Sequence, residues 1–195
     1  MFERVGKSPL EWAGPPRTSF LEISDWGLDD AVMGEATAVL SKRFAVKQVT
    51  YEEADFDTWT WDSLSRDIRA LPLPVDDIDA YVVILRDWRG DEIGHSVHQL
   101  GGLGLYRRDG TGGPRLGAFA AYRIAIIDAR SGEIMASRPV LTQIGQLPRL
   151  PVAPSIWPNT QNDVTDAQRT MLQTCLRRLI DATLPPTLKG LMAGH

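Results

Sequence analysis

Residues 79–85 read Asp-Ala-Tyr-Val-Val-Ile-Leu, a nearly continuous apolar run of strand length. Such a run marks a strand covered on both faces, because a half-solvated strand alternates polar and apolar side chains. The fold is read outward from it as the centre of a sheet. Upstream, residues 18–24 (TSFLEIS) are apolar and β-prone, and Asp29 and Asp30 stand where a helix would be capped. Across residues 30–44, Val32, Ala36, Val39, Leu40 and Phe44 recur at helical spacing. Residues 45–51 set Val49 and Tyr51 against Gln48 and Thr50, as in an edge strand with one wet face. Thr60 or Asp62 can then cap a short helix carrying Leu64, Ile68 and Leu71, ended by Pro72 and Pro74. The order is βαβαβ. With right-handed crossovers, the spatial order 2-1-3 puts the half-polar strand at an edge and strands one and three side by side.

Beyond residue 100 the pattern changes. Residues 101–107 (GGLGLYR) and 116–128 (LGAFAAYRIAIID) flank the turn-rich 109–114 and read as a hairpin. A second turn at 128–133 leads into residues 134–140, so this half is an antiparallel meander. Residues 141–162 hold Pro148, Pro151, Pro154 and Pro158 and read as an irregular segment. Thr165 and Gln168 form a capping box for a last helix with the stripe Leu172, Cys175, Leu176, Leu179 and Ile180, stopped by Pro185-Pro186. The expected fold is α+β: one domain over 18–195, after an irregular lead-in at 1–17, in which the βαβαβ half and the meander share a mixed sheet under the helices. In outline this resembles small α/β domains of bacterial envelope assembly and accessory proteins, with no motif shared residue by residue.

Composition bounds the function. The chain has 195 residues, 43% of them hydrophobic, enough for one sizeable core. No apolar run reaches the roughly 18–20 residues of a membrane span. A formal charge of −4 gives no general attraction for nucleic acid, and one cysteine excludes an internal disulfide framework. The first 17 residues lack an apolar core and contain Pro9, Pro15 and Pro16, unlike a signal peptide. The chain is expected to be cytoplasmic, or extracytoplasmic if a leader or lipid anchor was removed. Basic residues are mostly Arg, the usage of a GC-rich bacterial coding genome.

Two strands end on the same pair: Asp25-Trp26 after the first and Asp87-Trp88 after the third. In open α/β sheets ligands bind beyond such ends, so Asp25 and Asp87 facing each other could hold a cation or share a proton. The competing reading makes each Asp a turn former and each Trp core. His95 and His98, with Asp87, Asp91 and Glu92 upstream, offer metal-ligating groups, although a strand would point the two rings to opposite faces. Gly101, Gly102 and Gly104 lead into a strand and so do not build a phosphate loop. Arg107, Arg108 and Arg115 near Tyr106 read as a solvated hairpin end, and Cys175 as an inert thiol. Trp59, Trp61 and Trp157 add aromatic mass suited to a core or a recognition surface. No cofactor is expected. The first function expected is non-catalytic binding or assembly with a protein partner or as a homodimer. The alternative is a metal-dependent or hydrolase-like enzyme using Asp25 and Asp87.

Overall fold

The computed structural model describes residues 23–49, 60–70, 76–90, 99–108, 113–142, 145–158 and 163–193. In chain order these form α1 (Leu28–Leu40), α2 (Leu64–Ala70), β1 (Ala80–Arg86), β2 (Arg89–Gly90), β3 (Gln99–Leu100), β4 (Gly102–Arg108), β5 (Arg115–Asp128), β6 (Ile134–Pro139), β7 (Arg149–Pro151) and α3 (Asp166–Met192). Short 3-10 turns occupy Ser24–Trp26 and Pro154–Ile156. The fold is α+β, with three helices, a five-stranded sheet and a two-stranded β2–β3 ribbon among the described residues. None of the helices is long and apolar enough to cross a membrane, among the described residues.

The hub of the sheet is β5, not the 79–85 run. All four other strands pair with it: β1 along residues 122–128, β6 along 123–127, β4 along 115–121 and β7 along 117–119. Each of these pairings is antiparallel, and among the described residues β1 has no parallel partner. The helix expected over 30–44 ends at Leu40, and residues 45–49 carry no strand. Residues 18–22, 50 and 51, where the rest of the two other parallel strands was expected, lie outside the described residues. After Ile23 the chain turns through Ser24–Trp26 and enters α1 from Gly27, at φ 62°, without a side-chain cap; Asp29 and Asp30 lie in the first turn.

Strand alternation divides the β5 side chains between two faces. Ala118, Ala120, Tyr122 and Ile124 join α1 and α3 in the main core, where Leu172, Leu176, Leu179, Ile180, Leu184 and Leu188 supply the α3 stripe. The three small or planar side chains let the helices lie close to the strand. On the opposite face, Ala125 and Ile127 pack with Leu64 and Ile68 of α2 and with Tyr81. Further along that face, Phe119 and Ala121 pack with Leu100, Tyr106 and Leu147. Gly104 is required here: a Cβ at that position would collide with the Phe119 ring.

The expected start of α3 is present, with Thr165 and Gln168 in a reciprocal capping box. Its expected stop is not, because the helix runs through Pro185 and Pro186 to Met192. The two prolines withdraw the N–H groups that would meet the carbonyls of Asp181 and Ala182. Both of those residues are exposed, so water can satisfy the carbonyls, while Leu184, Leu188 and Leu191 hold the helix to the core. The threonines are tied in as well. Thr183 donates to the Leu179 carbonyl at 2.7 Å and Thr187 to the Thr183 carbonyl at 2.8 Å. With its own proton committed, the Thr183 hydroxyl accepts from Tyr122 at 2.8 Å, which joins sheet to helix inside the core. A further departure is β7, a three-residue strand within the proline-rich segment expected to be irregular.

Two predictions follow from this packing. Gly104→Ala should lower unfolding free energy by about 1–3 kcal/mol through overpacking, whereas Gly90→Ala, with open space around its Cβ position, should stay within about 0.5 kcal/mol of wild type; urea titration measures both. Burial also pushes the Tyr122 hydroxyl up from 10.0 to about 12. The folded chain keeps that proton to higher pH than the unfolded chain, so this stability is whole below pH 10 and is lost as pH rises towards 12. Wild-type stability should therefore fall more steeply than that of Tyr122→Phe over this window, by roughly 2–3 kcal/mol at its upper end. Parallel curves would contradict the assignment.

Candidate functional site

The residue pair that leaves β1 meets a charged side chain of the central strand. The Asp87 N–H extends the β1–β5 ladder by one bond, to the Ala121 carbonyl at 2.8 Å. Its carboxylate lies 3.4 Å from Nε of Arg123. Arg123 stands between the α2 cluster and the Phe119 cluster, on the face of β5 away from α1 and α3. Its guanidinium lies over the Trp61 ring, 4.7 Å from the centroid. The side chains are mostly withdrawn from water, at 26% exposure for Arg123 and 14% for Asp87. Asp87 neutralises the cation, yet it approaches off the N–H axis. Among the described residues the buried Nε–H has no hydrogen-bond partner.

Trp88 behaves differently. Side chains alternate along an extended chain, so Arg86 and Trp88 project from the face opposite Asp87. The Trp88 ring rests on Gly101, where a Cβ would come within 2.9 Å of it, and the Arg86 guanidinium lies 5.5 Å from its centroid. Even so packed, Trp88 remains 43% exposed. The glycine preceding β4 therefore makes room for this ring.

The structure does not bring the two Asp-Trp pairs together. Asp25 lies in the turn before α1, 67% exposed, and its carboxylate accepts from Arg169 of α3 at 3.0 Å. Trp26 is buried in the main core, its carbonyl accepts from Gln173, and Arg169 passes 5.7 Å from its ring centroid. This pair belongs to the α1–α3 side of the sheet and Asp87 to the other, so they form no shared carboxylate site. His95 and His98 lie outside the described residues, and among the described residues no group of three His, Cys, Asp or Glu is placed to hold a metal.

The remaining aromatics divide between core and cluster. Trp157, in its proline-rich setting the candidate least like ordinary core, is 4% exposed within the main core, with Nε1 unbonded among the described residues. Trp59 lies outside the described residues. Cys175 is half-buried against the core. Sequence reasoning singled out Asp87 and Trp88 but missed Arg123. A signal was present: Arg123 is the one charge within Leu116–Ile127, a stretch apolar on both faces of a strand. Comparison with protein-family models, curated proteins and solved structures finds no match.

The two Asp–Arg pairs differ in burial, which sets their expected strength. A double-mutant cycle on Asp87 and Arg123 should give a coupling of about 1–3 kcal/mol, against about 0.2–1 kcal/mol for the exposed Asp25 and Arg169. Equal couplings in chemical denaturation would contradict the role assigned to burial.

Proposed function

We propose that this chain is a non-catalytic binding or assembly module that engages a protein partner through the surface around Trp88. The observation that carries the reading is the Trp88 ring, packed between Gly101 and Arg86 yet left 43% exposed. A large ring packed against its own chain has less freedom to lose on binding than an unsupported one, and Trp and Arg are enriched among the residues that dominate protein interfaces. The alternative expectation, an enzyme using Asp25 and Asp87 together, finds no support in the placement of those carboxylates.

Affinity purification of the full chain from its source cells tests the reading, with Trp88→Ala and Phe44→Ala run in parallel. Phe44 is 56% exposed and serves as the control for simple loss of apolar surface. A partner retained at defined stoichiometry by wild type and Phe44→Ala, and lost with Trp88→Ala at unchanged thermal stability, is the expected result. Identical recovery with all three chains would overturn it.

A further inference from the structure

We infer that Asp87 and Arg123 are positioning residues for Trp88, a clamp on one face of the sheet that sets how the ring is presented on the other. β1 ends at Arg86 and β2 begins at Arg89, so Asp87 and Trp88 are the two-residue pivot between the five-stranded sheet and the β2–β3 ribbon. The pivot is fixed on each face. On one, the Asp87 carboxylate meets Arg123, itself held over Trp61. On the other, the Trp88 ring lies on Gly101, the residue between β3 and β4. The Asp87 N–H to Ala121 bond is the axis between them. Turning the backbone at Asp87 swings the carboxylate and the indole together, because a single peptide unit links the two residues. Whatever repositions Arg123 or Trp61 therefore reorients Trp88, and a partner seated on Trp88 acts back on Arg123 with the same coupling energy.

The inference rests on the proposed function for its meaning, but its test needs no partner. The full chain is labelled with 5-fluorotryptophan and followed by fluorine NMR, with two of the six tryptophan signals, those of Trp88 and Trp61, assigned through Trp88→Phe and Trp61→Phe. In Arg123→Gln and in Asp87→Asn the Trp88 signal should shift by more than its line width and broaden, although the substituted side chains lie on the other face. Arg123→Lys, which restores the charge opposite Asp87, should return it part of the way. The Trp61 signal reports directly on Arg123 and shows that the Arg123 substitutions have reached their site. A Trp88 signal unmoved in Asp87→Asn, which leaves the Trp61 stack intact and does not depend on the Arg123 variants folding, would overturn the clamp. That result would leave partner binding through Trp88 standing. Loss of the Trp88→Ala effect on partner capture would remove the binding reading and leave the clamp in place.

Discussion

Every strand of the main sheet depends on β5, and β5 can serve all of them because both of its edges and both of its faces are occupied. Its first half holds β4 and β7, its second half β1 and β6. A strand so enclosed has to be apolar on both faces and slim where helices approach. Ala118, Ala120, Ala121 and Ala125 meet that need, with at most 1% of any of them exposed. The Tyr122 hydroxyl is the exception on the helix side, and its bond to Thr183 meets the requirement that a buried donor find an acceptor.

Arg123 is the exception on the other side, and the functional argument grows from it. A guanidinium inside a two-faced strand must be neutralised locally. Asp87 supplies the opposite charge from the end of β1, and Trp61 supplies a π-face from the turn before α2. Meeting that electrostatic demand fixes the point at which the chain leaves the sheet. The next residue, Trp88, is thereby given a defined direction on the opposite face. A core constraint and a surface feature are in this way adjacent in sequence.

Periodicity along the chain revealed the elements well and their partners poorly. The apolar runs at 79–85, 101–107 and 116–128, the second helix and the Thr165 capping box all correspond to observed structure. An apolar run reports a strand but not which strand bonds to it, and it overstated the cover of β1, where Tyr81 is buried but Val82 is 37% exposed. For that reason 79–85 suggested a parallel centre, while the longer 116–128 run holds that place. The Pro185-Pro186 stop failed because local propensity does not register the leucines beyond it that anchor the helix. β2, β3 and β7 are too short to show a period, and β7 lies among prolines. Of the site, Asp87 and Trp88 were legible as a repeated pair. Their supposed counterpart, Asp25-Trp26, lies within a 3-10 turn and faces α3. Arg123 acquires its meaning only when the two faces of β5 are known.

Native-state hydrogen exchange, residue by residue, tests the central claim that β5 carries the architecture on which the site depends. Amides of Gly117–Ala125 should exchange only through global unfolding, with the full unfolding free energy, while α2 and the β2–β3 ribbon open at lower energies. Exchange of β5 through a partial opening, with β1 and β4 still protected, would show that the sheet does not depend on this strand and would contradict the account.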